Sequence, residues 1–297
     1  MIRRIAKQLR QFLSEPALEA VSRIPRPPDA ASQIQLRMTY RQMMANETPL
    51  PALGDIGFRC YSQTDEDGIL LFLLSVVGTS TKRSVEICAG DGIECNTANL
   101  IINHGWHGLL VDGDEGLVAR GRQFYARSPS TAVFPPAFVH SWVTRENINR
   151  LLDEHGFVEE IDVLSIDLDG IDYWIWDAIE VARPRVVVVE YQDILGPSRS
   201  WTVPYSDDFS SAGSPRTRGM PNFAGASLPA FVKLGRRKDY RLVGINRYGY
   251  NAFFIRNDLG GHFLPEVDLH ECFNHPKVRL GMQERFPSIK DFFWVEV

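Results

Sequence analysis

The stretch VEICAGDGIECN, residues 85–96, decides the fold of this chain. An apolar strand runs into Ala89-Gly90-Asp91-Gly92, and a helix is expected from Asn96 onward. Glycines at such a turn permit positive φ and let the backbone approach a ligand closely. In an open α/β sheet, ligands bind at the carboxyl ends of the strands, beside the point where strand order reverses. The flanking sequence repeats the strand signal. SVEIC (84–88), GLLVD (108–112), VLSID (163–167) and RVVVVEY (185–191) are short β-branched runs bounded by Gly, Asp or Pro, with helical stretches between them. That alternation predicts a parallel sheet with helices on both faces. Further on, YRLVGI (240–245) and NAFFI (251–255) are joined by Asn246 to Tyr250 and read as a hairpin. The expected fold is α/β: a doubly wound, seven-stranded, mostly parallel sheet with an antiparallel edge hairpin and a helical N-terminal appendage.

GLLVD ends on Asp112, 20 residues past Gly92. An acid there accepts hydrogen bonds from both hydroxyls of a ribose, so loop and acid together imply an adenosine-containing cofactor. A dinucleotide fingerprint, GxGxxG, holds a pyrophosphate with its glycines and a helix N-terminus. Here Cys95 occupies the third glycine position, and Glu86 and Asp91 bring negative charge to the loop. Those acids repel a pyrophosphate and suit the ammonium and sulfonium of S-adenosylmethionine. The plainer reading is an acidic turn in an α/β protein.

The 297 residues are 44% hydrophobic and 23% charged, the balance of an ordinary globular protein rather than a disordered or low-complexity one. With 32 basic and 37 acidic side chains the net charge is −5, far from the basic excess of a dedicated nucleic-acid binder. Residues 1–50 hold eight basic and four acidic side chains, a basic start on an acidic body. Within it Ile2, Ile5, Leu9, Phe12 and Leu13 recur at helical spacing among Arg3, Arg4, Lys7 and Arg10. A helix over 2–13 of this kind either touches a membrane surface or a partner, or packs on its own protein or a second subunit of a homo-oligomer. Pro25, Pro27 and Pro28 then break the chain, and a polar helix is expected over 31–46.

Ser62 is the expected N-cap of a helix whose apolar side runs through Ile69, Leu70, Leu73, Leu74 and Val77. The Ser/Pro/Gly-rich stretch 194–224 has little periodicity and reads as a lid or binding loop. No run approaches the ~20 apolar residues that cross a bilayer. The start, MIRRIAKQLRQFL, lacks a continuous apolar core, so a cytoplasmic protein is expected. Cys60, Cys88, Cys95 and Cys272 form no CxxC, which gives a zinc ribbon no footing and predicts reduced thiols. The expected organisation is a helical appendage over 1–60, the α/β domain over 61–259 and a C-terminal extension over 260–297.

SQTDEDGIL (62–70), VEICAGDGIECNTANL (85–100), GLLVDGD (108–114), SIDLDGIDYWIW (165–176), VVVEYQ (187–192), GASL (225–228) and NAFFI (251–255) stand in order along the chain. As an ordered set they resemble the FkbM-like S-adenosylmethionine-dependent methyltransferases, class I Rossmann-like enzymes with relatives in polysaccharide gene clusters. The resemblance covers about Tyr61 to Leu259. It implies that Glu86, Ala89, Gly90, Asp91 and Gly92 line the methionine and adenosine moieties, that Asp112 holds the ribose, and that Gly113 and Asp114 sit beside the adenine. His140 and Ser141, after the third strand, are further candidates for the adenine edge, and His140 also for a catalytic role. Cys88 departs from the small residue or glycine common at its position, though it packs as a small hydrophobe.

SIDLDGIDYW places Asp167, Asp169 and Asp172 just past a buried strand, and Glu190 ends the next one. Carboxylates converging at one sheet edge are costly unless a cation or a proton sits among them. Mg²⁺ takes such oxygen ligands, and the cluster is similar to the DGD-type motif of metal-dependent sugar O-methyltransferases. Metal on Asp167, Asp169, Asp172 and Glu190 would acidify an acceptor hydroxyl. Without metal, Asp167 touches cofactor or substrate, Asp169 and Asp172 cap the following helix, and one carboxylate or His serves as base. Asp167 is essential under either reading.

His104 and His107 flank Trp106 and either line a surface loop or ligate a metal. Trp174, Trp176, Trp201, Tyr173, Tyr191 and Tyr205 either wall a sugar site or pack helices, and His262, His270 and His275 carry no ligand pattern. The expected activity is methyl transfer to a sugar hydroxyl on a glycan or glycosylated metabolite. Asp167-Leu168-Asp169 is also a DxD, so the alternative is a metal-dependent glycosyltransferase using a nucleotide sugar, which leaves Asp112 and the glycine loop unexplained. A binding module without catalysis would leave the acidic cluster without use.

Overall fold

A computed structural model describes residues 28–210 and 219–297. The amphipathic stretch 2–13 and part of the 194–224 loop lie outside the described residues. Strands β1 (Arg83–Ile87), β2 (His107–Asp112), β3 (Ala137–His140), β4 (Glu159–Ile166), β5 (Ala182–Glu190), β7 (Tyr240–Ile245) and β8 (Asn251–Arg256) form one sheet in the order β3-β2-β1-β4-β5-β8-β7. All pairs from β3 to β5 are parallel, while β8 is antiparallel to both β5 and β7. The hairpin therefore forms the edge as expected, with the antiparallel strand one place in and β7 outermost.

Period-2 alternation explains why both faces are covered. Val85, Ile87, Leu109, Val111, Leu164, Ile166, Val187 and Val189 enter one core. Leu110, Val163, Val186, Val188, Phe253 and Ile255 enter the other. The first face is covered by α6 (Ile148–Glu154), α7 (Asp172–Ala178) and α8 (Leu228–Arg237). The second is covered by α3 (Glu66–Val77), α4 (Ala98–His104) and α5 (Glu115–Arg127). Within α3 every residue but Val76 is buried, as expected for a helix that is apolar all round. It begins at Glu66 rather than at Ser62, because Asp67 captures Ser62 Oγ and the N–H groups of Cys60, Tyr61 and Ser62 and holds that segment in a turn.

The outer side of α3 is covered by α1 (Ala30–Ala45), whose Tyr40 meets Phe72 edge-on at 5.0 Å. Gln33 of α1 is fully buried and binds Asn99 and His104, so the N-terminal segment docks through a polar network as well. A short α2 (Leu53–Ile56) follows, with Leu53 lying over Gly244 of β7.

The C-terminal extension is woven into the domain. It contains α9 (Pro276–Glu284), α10 (Phe286–Ile289) and β9 (Val295–Glu296), and β9 pairs with β6 (Trp201–Thr202) from the loop after β5. Among the described residues no helix is long and apolar enough to cross a membrane.

Candidate active site

Strand order reverses between β1 and β4, and the loops at their carboxyl ends open a crevice there. Cys88, Gly90 and Gly92 all have positive φ, so the chain turns sharply away from β1. A Cβ at Gly90 would meet nothing within 4 Å, which leaves the backbone open to a ligand. At Gly92 it would come within 2.8 Å of Leu110 and Phe138, so there glycine is required for packing. Asp112 fixes this loop: its Oδ2 accepts the Gly90 N–H at 2.7 Å and its Oδ1 the Asp114 N–H at 2.8 Å. A carboxylate has about four lone-pair sites, so two remain for a ligand. Asp112, Cys88, Gly113, Ser141, Trp142 and Phe209 line a cavity of about 190 Å³.

Several acids expected at the cofactor are committed elsewhere. Glu86 points into the α3/α4 side and accepts the N–H groups of Asn96 and Thr97 at 3.3 and 2.8 Å. It thereby anchors the segment that leads into α4, at and just before its N-cap residue Thr97. Burial pushes its carboxyl above the usual range, with Ser165, Thr97 and Asn96 pulling the other way. Asp91 faces Arg120 at 3.5 Å, and Asp114 caps α5 by accepting the Leu117 N–H. None of Glu86, Ala89, Gly90, Asp91, Gly92, Asp114 and Asp167 lines the cavity; Asp112, Gly113 and Ser141 do, and Gly90 adjoins it through its N–H to Asp112.

Beyond β4 and β5 the structure brings Asp167, Asp169 and Glu190 together, each offering a carboxylate oxygen within 4.8 Å of the others. Asp172 is not among them. Its Oδ1 accepts the Leu168 N–H at 2.6 Å and its Oδ2 the Gly170 N–H at 2.9 Å, which ties down the loop. That sharp loop also puts Asp169 at positive φ. Asp167 and Glu190 keep some solvent contact but are closely surrounded. Burial, and then the charges of Asp172, Asp169 and Glu86, push the Asp167 carboxyl up to about 8. Burial and the adjoining Asp167 carry Glu190 well above the ordinary range too. With their oxygens within 4.8 Å of each other in a buried setting, the two carboxyls disfavour carrying two negative charges at once, so a proton on the pair is favoured.

Asp169 also links two cavities. It lines the one at Asp112 and a second of about 170 Å³, with Glu190, Gln192, Tyr250 and Arg285. A larger cavity of about 880 Å³ runs along the outer edge of β7, between residues 47–54 and 262–275. None of the carboxylates gathered after β4 and β5 lines it, so it is not the seat of the chemistry described here.

Other candidates fall away from the crevice. His140 ends β3, three strand spacings or about 14 Å from β4, with Nε2 at 3.1 Å from the Gly113 carbonyl. His104 binds Gln33, and His107 opens β2 at the opposite end of the sheet, between Phe134 and Phe157. Tyr173 and Trp176 are core residues, Trp174 donates to the Val203 carbonyl, and Trp201 stacks on Trp294. Tyr205 binds Glu146. Of these six aromatics only Tyr191 lines the second cavity, from a buried position.

Trp142, Tyr250 and Arg285 are site residues that sequence reasoning missed. Trp142 follows Ser141 directly; Tyr250 and Arg285 belong to no recognisable motif.

No family model and no curated protein matches this chain in sequence. Among solved structures, a magnesium protoporphyrin IX methyltransferase from Synechocystis PCC 6803 with bound S-adenosylmethionine is 10% identical, with a TM-score of 0.39 over 84% of this chain and 96% of that one. An O-methyltransferase from Bacillus cereus in complex with S-adenosylhomocysteine is 16% identical, with a TM-score of 0.41 over 80% and 94%. A glycopeptide N-methyltransferase, also with S-adenosylhomocysteine, is 12% identical, with a TM-score of 0.41 over 69% and 95%. These likenesses are loose, and the fold assignment rests on the strand order itself.

Proposed function

We propose that the chain is an S-adenosylmethionine-dependent methyltransferase acting on a hydroxyl of a sugar, in a glycan or glycosylated metabolite, and that it is FkbM-like. The observation that carries this reading is the cavity at Asp112, beside the switch point of the sheet, which adjoins through Asp169 the gathered carboxylates of Asp167, Asp169 and Glu190. The residues present fit the cofactor: an open glycine backbone at Gly90, an acid with two free lone-pair sites at Asp112, and an indole face at Trp142. The nucleotide-sugar alternative, built on Asp167-Leu168-Asp169 alone, leaves the glycine loop and Asp112 without a role. The ordered motifs from Tyr61 to Leu259 support the family, and that segment would carry the chemistry in a cytoplasmic enzyme with reduced thiols.

Asp112 and the Gly90 backbone would hold the adenosine part, with Gly113, Ser141 and Trp142 around the base. When bound, S-adenosylmethionine supplies an electrophilic methyl group on a sulfonium. The Asp167–Glu190 pair, once deprotonated, takes the acceptor's hydroxyl proton, and its negative charge is also complementary to a cation held beside it. Closing the acceptor against this pair supplies the positioning from which a single displacement gains most. Asp167, Asp169 and Glu190 also offer the oxygen donors of a Mg²⁺ site, a second reading in which the metal acidifies the same hydroxyl.

Calorimetric titration with S-adenosylhomocysteine, with Mg²⁺ and after EDTA, tests both. Micromolar binding is expected. Absence of binding in every condition overturns the methyltransferase reading, and an affinity or activity insensitive to EDTA removes the metal.

A further inference from the structure

The second cavity is lined by groups of both signs: the carboxylates of Asp169, Glu190 and Asp193, and the guanidinium of Arg285, from the junction of α9 and α10. Among the described residues Arg285 pairs with the Asp193 side chain, with Nη2 3.4 Å from Oδ1. The other oxygen of Asp193 holds Lys277 at 2.7 Å. One buried carboxylate thus faces two cations, and the surplus positive charge sits on the partner held at the longer distance. The Arg285 side chain is 39% exposed, whereas that of Asp193 is 5% exposed. The buried acid aims the guanidinium without using up its fork of five N–H donors. Lys277 is further engaged, its Nζ lying 3.8 Å from the centre of the Tyr250 ring.

We propose that Arg285 binds an anionic group on the acceptor, so that the substrate is an acidic sugar bearing a carboxylate or a phosphate ester. Asp169 and Glu190 repel such an anion and receive a hydroxyl, while Arg285 receives the anion. The two kinds of group orient the acceptor, and the C-terminal extension becomes part of the binding site. This inference deepens the methyltransferase reading and rests on it for the fate of the hydroxyl, but the charge preference is measurable without methyl transfer.

The test is ligand-observed NMR titration of the full chain with D-glucuronate, D-glucose 6-phosphate and D-glucose, alone and with S-adenosylhomocysteine. At least one anionic sugar is expected to bind about 10-fold or more tighter than glucose, the fold-change of a charge-assisted hydrogen bond. Comparison of the two anions separates carboxylate from phosphate. Arg285→Gln should bring the anions to within about 3-fold of glucose, while Arg285→Lys, which keeps charge but not the fork, should retain part of the preference. Unchanged S-adenosylhomocysteine affinity and melting temperature in Arg285→Gln would show an intact fold. Glucose binding as tightly as both anions, absence of binding by either anion, or an undiminished preference in Arg285→Gln overturns the proposal. Failure of wild-type protein to bind S-adenosylhomocysteine overturns the methyltransferase reading instead, and the charge preference is then still decided by the titrations without it.

Discussion

Asp162 and Asp167 belong to the same short segment of chain, one within β4 and the other just past its end. Asp162 is fully buried yet fully served. It accepts the N–H groups of Ser80, Thr81 and Lys82 and the Thr81 hydroxyl, with Arg185 at 3.6 Å. Asp167 is more open, yet its charged neighbours are acids: Asp172, Asp169, Glu86 and Glu190. One aspartate clasps the segment before β1 to the sheet; the other is held where its ionised form is disfavoured. A buried carboxylate ringed by donors contributes to stability, whereas one crowded by other carboxylates is retained for chemistry at some cost to stability.

The sharpest way to break this contrast is to remove each charge in turn. Asp167→Asn should lower turnover by about 10²–10⁴-fold, the usual contribution of a positioned base, while S-adenosylhomocysteine affinity stays within a few-fold. Surviving activity in that variant would end the assignment. Asp162→Asn should leave the acids after β4 and β5 in place but destabilise the fold by about 2–4 kcal/mol, because an amide N–H₂ replaces one acceptor oxygen among buried N–H groups and the charge facing Arg185 is lost. Urea denaturation measures it, and a loss below about 0.5 kcal/mol would mean that the clasp is not structural.

Next in size is the cofactor side of the same crevice. If the proposed function holds, Asp112→Ala should weaken S-adenosylhomocysteine binding by about 10–100-fold, because the variant has no carboxylate for the ribose and loses the acceptor that holds the Gly90 and Asp114 N–H groups. Calorimetry on a variant with an unchanged melting temperature separates this from unfolding.

The pH dependence sharpens the contrast further. The carboxyls of Asp167 and Glu190 bind protons more tightly in the folded chain than in the unfolded one. Stability from this pair is therefore fully present below the ordinary carboxylate range and is lost as pH rises towards about 8 and beyond. Under the proposed mechanism activity should run the other way, rising through the same window as the pair ionises. Melting temperatures of wild type and Asp167→Asn should accordingly diverge with rising pH, the variant falling less; parallel curves would refute a proton on the pair. The smallest effect expected is that of Gly92→Ala, about 1–3 kcal/mol from positive φ and the close Leu110 and Phe138 contacts, seen as a shift of the urea midpoint.

Much of the architecture was legible because it depends on short-range pattern. Apolar β-branched runs with period 2, the glycine loop after β1, Asp112 and the hairpin around Gly249 each follow from a few adjacent residues and their backbone preferences. The acids of the loop were harder to read. Glu86 was expected to face the cofactor, but strand parity turns it to the α3/α4 face, where free N–H groups take it up. Asp172 looked equivalent to Asp169 in SIDLDGID, yet the sharp turn at Asp169 spends Asp172 on the backbone and leaves Asp169 at the cavities.

By itself the sequence determined the class of sheet, the position of the crevice and the identity of the acids near it, because these are set by local propensity and by hydrophobic burial on two faces. Only the tertiary structure decided which acids converge, how the C-terminal extension reaches the second cavity, and that Arg285 and Glu190 line it together. Those relations join residues far apart in the chain, and they depend on distances of a few ångströms that strand pairing and helix packing set.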